Sequence, residues 1–168
     1  MALGAFEQPE LIEINDVLRL RKYDGRFDLF LSGYQNPTVY QNSEGIFDES
    51  KIPDLAYVEG MCKYLENAGK VYYIEAKEAD GFRPIGDITI KDENPPIAIW
   101  FDEYRGKNIG MLVMKTMIKR LKELGFKRIK GSSVYRWNIP SQRMHERLGF
   151  QRVREDIDEF YYDLDLGE

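Results

Sequence analysis

The chain has 168 residues, the usual length of one globular domain, and its 43% hydrophobic and 13% aromatic content can build a core. Its 29 acidic residues outnumber 24 basic ones for a net charge of -5, which argues against a broad basic surface for nucleic acid. No segment approaches the ~20 apolar residues of a membrane span, and Met1–Glu10 lacks the basic and apolar start of a signal peptide. With a single cysteine there is no intrachain disulfide, so we expect a cytoplasmic protein.

The first predicted elements lie in a mixed region. Alternating apolar and charged residues over Leu18–Tyr23 predict a half-buried strand, and a short helix is expected near Phe27–Gly33. A polar loop is predicted over Gln41–Pro53. The helical spacing of apolar residues then predicts a helix over Asp54–Ala68, in which Cys62 is expected to be a buried structural thiol rather than a nucleophile.

Strand signals dominate the middle of the chain. Three strands are predicted, over Val71–Ala76, Pro84–Lys91 and Ile97–Phe101. The prolines of Asp92–Pro96 separate the last two, because proline cannot extend a central ladder. The third strand is nearly all apolar, which is typical of a strand covered on both faces.

The second half of the chain alternates helices and strands. The predicted elements are a helix over Ile109–Leu124 capped by Gly125, a strand over Phe126–Val134, a short helix over Pro140–Leu148, and closing strands over Gln151–Glu155 and Glu159–Leu166. A strand, a crossover helix and another strand imply a parallel pair. The pattern predicts one mixed α/β sandwich.

The turn before the long helix has the chemistry of an anion site. Its residues are Arg105, Gly106, Lys107, Asn108, Ile109 and Gly110. The first N–H groups of a helix have no internal partner, and the helix dipole is positive at that end. Small residues let the backbone approach an anion, Asn108 tolerates left-handed angles, and two cationic side chains add charge. This turn can hold a pyrophosphate, although it matches neither the ATP-binding P-loop nor the GxGxxG fingerprint.

A second segment runs from Asn138 to Phe150 and ends in Leu-Gly-Phe. Together with the turn it resembles the paired motifs of the GNAT (Gcn5-related N-acetyltransferase) family, in the same order and about thirty residues apart. Asn108 stands where that family has its central glycine. The opening LRLR strand and the stretch Asn36-Pro37-x-Val39 look like the RimJ/RimL-like branch.

The resemblance implies a fold and a cofactor site. The expected fold is a single domain over residues 1–168, with a mostly antiparallel twisted sheet of six to seven strands, helices on both faces and a parallel strand pair at the cofactor cleft. The backbone around Trp100 and Phe101 would pair with the pantetheine arm of acetyl-CoA, and the turn from Arg105 to Gly110 would hold its pyrophosphate. Asn138 would hydrogen-bond the pantetheine, with Ser141 beside it. No metal is expected.

His145, the only histidine, is a candidate proton-transfer group. It occupies a position where many relatives carry Tyr, and the phosphinothricin acetyltransferases resemble this chain in having His. Histidine titrates near neutrality and can protonate a leaving thiolate. The alternative is a half-buried histidine that satisfies local hydrogen bonds.

The general base is less evident in the sequence. Many RimJ/RimL-like relatives place a Glu at the start of the apolar strand, where this chain has Pro95. Asp87, Asp92 and Glu93 are the nearby carboxylates, each more often a solvated surface charge. Asp87 is preferred because it interrupts an apolar strand, and water alone is the alternative.

The resemblance predicts an enzyme that moves an acetyl group from acetyl-CoA to a primary amine by direct attack in a ternary complex. The acceptor could be a small amine, an amino acid, a drug or a protein N-terminus. A non-catalytic acyl-CoA-binding module is the alternative. Nucleic-acid and membrane partners are not expected, and a homodimer is plausible through the late strands.

Overall fold

The computed structural model describes residues 6–167 of the chain. Residues 1–5 and 168, which the predicted domain includes, lie outside the described residues, as does the first half of Met1–Glu10. Within the described part, eight strands form two sheets. The five-stranded sheet has the order β1-β2-β3-β4-β5, every pair antiparallel. Its strands are β1 (Leu11–Asn15), β2 (Leu18–Lys22), β3 (Lys70–Glu78), β4 (Gly81–Ile90) and β5 (Ile97–Ile99).

The second sheet has three strands in the order β6-β8-β7, again antiparallel. Its strands are β6 (Arg128–Tyr135), β7 (Gln151–Glu155) and β8 (Glu159–Asp165). Five α-helices accompany the sheets: α1 (Leu31–Tyr34), α2 (Pro37–Glu44), α3 (Leu55–Ala68), α4 (Ile109–Glu123) and α5 (Ile139–Arg147). The mixed α/β class and the mostly antiparallel pairing confirm the sequence-based prediction.

Helices cover both faces of the larger sheet. On one face, Val113, Met114 and Met117 of α4 are buried against strand residues such as Ile74 and Ile88. On the other face, α1 and α3 enclose a second core cluster. Its buried members include Phe30, Tyr34, Val58, Cys62, Tyr73 and Trp100. Cys62 is the buried thiol that the sequence predicts, and burial raises its pKa to about 12.

The two sheets meet at one end. A parallel bridge joins Glu93 to Lys130, and the Lys130 N–H donates to the Asp92 carbonyl at 2.9 Å. The parallel strand pair expected between β5 and β6 is reduced to this junction, because β5 pairs with β4 and β6 with β8. No further strand pairing joins β5 to β6 in residues 6–167, so a gap opens between the two sheets beyond the junction.

Helix α2 and strand β1 were not expected from the sequence. The predicted loop over Gln41–Pro53 is wrong at its start, because α2 continues to Glu44. Asn36 and Pro37 begin this helix: the Asn36 side chain accepts a hydrogen bond from the Thr38 N–H at 3.0 Å, and proline is tolerated in the first turn. Gly45 ends it in a left-handed conformation.

None of the helices in the described ranges has the length and apolar character needed to cross a bilayer.

Candidate active site

A groove of about 550 Å³ lies at the gap between the two sheets. Ile97–Ile99 of β5 line one side, the first residues of α4 and α5 line another, and α2 covers it. Helix α2 reaches across the gap. At its start the Asn36 amide donates to Asp102 beyond β5, and near its end the Gln41 carbonyl accepts from the Trp137 indole beyond β6. The groove is therefore framed by elements from both sheets.

The predicted turn forms one end of this groove. Gly106, Asn108, Ile109 and Gly110 line it, and Asn108 has the left-handed backbone (φ 67°) that the sequence led us to expect. The Asn108 side chain makes no capping hydrogen bond, so the first N–H groups of α4 keep their capacity for an external acceptor. Such a helix start suits a phosphate group.

The two cationic side chains of the turn have different surroundings. Arg105 lines the groove, but its guanidinium contacts Asp102 and donates to the Ile99 and Trp100 carbonyls at 3.0 and 3.3 Å. It therefore braces the turn against the end of β5. Lys107 is exposed.

The edge of β5 that faces the groove belongs to odd-numbered residues. The Trp100 N–H donates to the Ile85 carbonyl of β4 at 2.8 Å, at a bulge where Ile85 is the extra residue. Because backbone groups alternate along a strand, the N–H groups of Ile99 and Phe101 point away from β4. Of these residues Ile99 lines the groove and neither Trp100 nor Phe101 does, so the pairing of the Trp100 and Phe101 backbone with the pantetheine arm stays a prediction.

Asn138 and Ser141 both line the groove at the start of α5. The Asn138 side-chain oxygen accepts from the Ser141 N–H at 3.4 Å, which caps the helix. The side-chain amide nitrogen of Asn138 remains able to donate a hydrogen bond to a ligand. The structure thus brings the turn, the β5 edge and this segment into one groove, as the sequence predicts.

Asp87 is fully buried in β4, so the expectation of a solvated charge is wrong for this residue. Its Oδ2 atom accepts from the Trp100 indole at 2.7 Å and from the Tyr34 hydroxyl at 2.9 Å. Burial raises the pKa of Asp87 to about 7, and the two hydrogen bonds hold it back from rising further. Asp87 does not line the groove, but its partner across the β4–β5 pair, Ala98, does.

Asp92 and Glu93 lie at the junction of the two sheets, and neither lines the groove.

His145 is 3% exposed and lies on the inner side of α5, outside the groove lining. Its Nδ1 is 2.8 Å from the Ser141 carbonyl, which can only accept, so Nδ1 carries the proton. Nε2 then accepts from the Ser132 hydroxyl at 2.8 Å. The ring packs against Phe150 and Tyr162, and burial lowers the pKa of His145. Both ring nitrogens are therefore engaged in hydrogen bonds within the protein.

Sequence reasoning missed two groups that line the groove. The first is the inner side of α2, with Thr38, Val39, Asn42 and Ser43. The Asn-Pro pair followed by a glycine eight residues after the proline is a helix start and stop signal that could have revealed it. The second is Arg143 and Arg147, one turn apart on α5, which give the groove two further cations.

No group of three potential metal ligands is present in residues 6–167.

A split sheet with a helix start and several cations in its groove is suited to binding a phosphate-bearing ligand. A model of the acetyltransferase (GNAT) family matches residues 54–150, more than half of the chain. The chain belongs to the GNAT acetyltransferase family, and it is an acetyltransferase.

Two curated relatives are similar in sequence. An uncharacterized protein of Methanocaldococcus jannaschii is 26% identical over 150 residues, which make up 85% of this chain and 30% of that protein. This chain thus spans less than a third of that relative's length. The spermine/spermidine N(1)-acetyltransferase of Bacillus subtilis is 28% identical over 134 residues, which make up 66% of this chain and 87% of that protein.

Solved structures share the fold at low identity. A domain from Methanocaldococcus jannaschii has a TM-score of 0.76 at 20% identity, covering 89% of this chain and 99% of that one. The microcin C7 self-immunity acetyltransferase MccE, solved with acetyl-CoA and AMP, has a TM-score of 0.70 at 15% identity (94% and 97% covered). The ribosomal L7/L12 alpha-N-protein acetyltransferase RimL, solved with coenzyme A, has a TM-score of 0.69 at 14% identity (93% and 98% covered).

Proposed function

We propose that this acetyltransferase moves an acetyl group from acetyl-CoA to a primary amine by direct attack within a ternary complex. The observation that carries the proposal is the groove itself, which has a cationic helix start at one end and, along one side, the outer edge of strand β5, which ends the larger sheet. The open, left-handed turn at Asn108 and the uncapped start of α4 fit a diphosphate. The N–H groups of Ile99 and Phe101 suit an extended amide-bearing arm.

The groove residues take these roles. The backbone from Gly106 to Gly110 holds the diphosphate, with Lys107 adding charge and Arg105 bracing the turn. Arg143 and Arg147 contact a further phosphate of the ligand. Asn138 donates its amide to the arm, and Ser141 lies beside it.

Bound acetyl-CoA supplies a thioester whose C–S bond breaks as the amine nitrogen forms the new C–N bond, while the nitrogen loses a proton and the thiolate gains one. An alkylamine with a pKa near 10.4 is almost entirely protonated at pH 7, so a base or a desolvating pocket must help. We assign the base to Asp87, because a carboxyl group with a pKa of about 7 is partly ionised at neutral pH and can take up a proton. The Tyr34 hydroxyl donates to Asp87 at 2.9 Å, and we assign the proton path to this pair; neither side chain lines the groove, so the path must pass beyond the groove wall.

The catalytic role of His145 stays a prediction. Its geometry favours a positioning role, because its ring ties the start of α5, where Ser141 lines the groove, to Ser132 of β6. In that role it fixes the position of Asn138 and Ser141 rather than contacting the reacting atoms.

The acceptor that we favour is a small amine. The curated relative from Bacillus subtilis is described as a spermine/spermidine acetyltransferase, whereas RimL acts on a protein. Membership of the RimJ/RimL-like branch rests on the LRLR strand, the Asn36-Pro37 pair and the RimL likeness in fold. One domain over residues 1–168, a cytoplasmic location and a homodimer stay predictions.

The test is an acceptor screen that follows free thiol release from acetyl-CoA. We expect Asp87→Asn and Tyr34→Phe each to lower kcat by roughly 100-fold or more, the range of a lost proton-transfer group. Tyr73→Phe is the matched control, because Tyr73 is also a buried tyrosine that donates to a carboxylate, that of Asp24. Unchanged kcat in both Asp87→Asn and Tyr34→Phe would remove the assigned base.

His145→Gln separates the two roles of the histidine in the same assay. A positioning role predicts a raised KM for acetyl-CoA with an unaltered pH–rate profile. Loss of one limb of the profile would identify His145 as a proton donor. No thiol release with any amine would refute the proposed function as a whole.

A further inference from the structure

Three aromatic side chains, two exposed and one half-buried, form a surface next to the groove. We call Phe47, Tyr135 and Trp137 the aromatic surface. Trp137 stacks on Tyr135, with ring centroids 4.7 Å apart and planes 13° apart, and Phe47 meets Trp137 edge-on at 5.1 Å. Phe47 is 59% exposed and Trp137 38% exposed. Large aromatic side chains gain by burial, so such an exposed stack is characteristic of a binding surface.

The aromatic surface adjoins the groove at the end of α2. Trp137 directly precedes Asn138, which lines the groove, and its indole donates to the Gln41 carbonyl at 2.9 Å. Asn42 and Ser43, the next residues of α2, also line the groove. The cationic turn, in contrast, adjoins the start of α2 through the Asn36–Asp102 hydrogen bond. The start of α2 thus lies beside the cationic turn, and its end lies beside the aromatic surface.

Several carboxylates lie near Tyr135, one member of the aromatic surface. Burial raises the pKa of Tyr135, and the negative charges of Glu159, Glu44, Asp158 and Asp156 raise it further. Glu44 is partly buried at the end of α2, where burial raises its pKa and the Tyr57 hydroxyl donates to it. Four negative groups therefore act on one ring of the stack.

The cations near this surface are already engaged. Arg136 donates to the Asp156 carbonyl, forms an ion pair with Glu155 at 3.3 Å and lies over the Phe160 ring. Arg152 lies over Phe160, and Arg154 lies over Tyr161. These three arginines keep their charge, and the acidic side chains named in this region outnumber them: Glu44, Glu155, Asp156, Asp158 and Glu159.

We propose that the aromatic surface binds a second cationic group of the acceptor, so that the acceptor is a diamine or polyamine joined by methylene chains. This inference rests on the proposed function, since it names the substrate class of that site. Aromatic faces attract an ammonium group and also cover methylene carbons, and the surrounding carboxylates complement the charge. A monoamine would occupy the groove without reaching this surface.

Calorimetric titration of the full chain, with coenzyme A present, tests the inference without acetyl transfer. The probes are 1,4-diaminobutane, 1,8-diaminooctane and the monoamines of the same chain lengths. We expect at least one diamine to bind about tenfold or more tightly than its monoamine. That preference should weaken as salt rises from 50 to 300 mM, values chosen as roughly bracketing physiological ionic strength.

Variants locate the binding. Trp137→Ala and Phe47→Ala should each weaken diamine binding about five- to tenfold and leave monoamine binding unchanged. Removing the exposed Phe47 ring disturbs little of the buried structure. A loss of diamine binding in Phe47→Ala therefore does not result from misfolding. Tyr64→Ala, at an exposed tyrosine on α3 that is 66% exposed, is the matched control and should have no effect.

Equal affinity for diamines and monoamines would overturn the inference, and so would diamine binding that survives both aromatic substitutions. Binding of a lysine-rich peptide in the absence of diamine binding would also overturn it. Acetyl transfer to monoamines without a diamine preference would sink this inference while leaving the proposed function intact. Diamine binding at the aromatic surface without any acetyl transfer would refute the proposed function and leave only a diamine-binding surface.

Discussion

Asp87 illustrates how a single residue is tuned by its surroundings. Its carboxyl group lies in the interior, and the two groups that donate to it, the Tyr34 hydroxyl and the Trp100 indole, are both neutral. An ionised carboxylate there loses its hydration without gaining an opposite charge, so its pKa rises to about 7. The sequence drew attention to Asp87 because a carboxylate interrupted an apolar strand, but its two partners come from α1 and from the residue after β5, which only folding brings together.

Asp87→Asn should change how stability depends on pH. The folded state holds a proton on Asp87 up to a pKa of about 7, whereas the unfolded chain releases it near 3.8. The contribution of Asp87 to the wild-type free energy of unfolding should therefore fall as pH rises from about 4 to 7, by up to about 4 kcal/mol. The variant lacks this loss, so it should gain stability relative to the wild type at pH 8 compared with pH 5.

Urea unfolding at the two pH values measures this change. Asp16→Asn, at an exposed turn residue, is the control and should leave the wild-type dependence unaltered. If the free energy of unfolding changes equally with pH in the wild type and in Asp87→Asn, then Asp87 is not a buried carboxyl group with a raised pKa.

At the scale of an element, the position of helix α4 is likewise set by the residues that surround it. Its apolar side, with Val113, Met114 and Met117, packs on the larger sheet, and this packing fixes where its first turn lies. The left-handed residue Asn108 turns the chain into the helix and leaves the first N–H groups uncapped. A Cβ atom on Gly110 would lie 3.3 Å from the Met144 sulfur of α5, so glycine at this position lets α5 pack closely against the turn. The turn is therefore built for close approach from both the ligand side and the α5 side.

Substitution at Asn108 should separate backbone geometry from side-chain chemistry. Asn108→Gly should keep the melting temperature and the KM for acetyl-CoA, because glycine adopts positive φ without strain. Asn108→Val should cost about 1–2 kcal/mol and raise the KM for acetyl-CoA, since a β-branched residue avoids this region. Thermal unfolding and steady-state kinetics measure both effects.

Asn67→Val provides the control, because Asn67 is an exposed residue within the right-handed helix α3. A large KM increase in Asn108→Gly would mean that the side chain, and not the backbone angle, serves the ligand.

At the scale of the whole molecule, the two sheets form the two sides of the groove. They are tied at one end by the Glu93–Lys130 bridge, and α2 spans the opposite opening. A ligand lying in this groove would contact β5, α4, α5 and α2 together. Binding should therefore stabilise the fold as a unit rather than one local segment.

Acetyl-CoA at 100 times its Kd should add about 2.7 kcal/mol to the free energy of unfolding. For a chain of this size the melting temperature should rise by roughly 5–10 °C. ATP and NAD at the same concentration serve as controls and should produce a much smaller shift. A shift with either of them and none with acetyl-CoA would exclude the proposed cofactor.

The sequence by itself determined the local features of this protein. The helical spacing of α3, α4 and α5, the strands other than β1 and the left-handed Asn108 follow from patterns within a few residues of one another. The paired motifs at Arg105–Gly110 and Asn138–Phe150 were also sufficient to indicate the family, which the match over residues 54–150 shows.

Only the tertiary structure decided what the groove contains and what lies outside it. It buried His145 between Ser132 and Ser141, gave Asp87 its partners from distant segments, and stacked Trp137 on Tyr135 beside the end of α2. These relations depend on how separate elements pack, and no short-range spacing in the chain encodes them. Burial and neighbouring charge, which set the pKa values, exist only once the two sheets and α2 have come together.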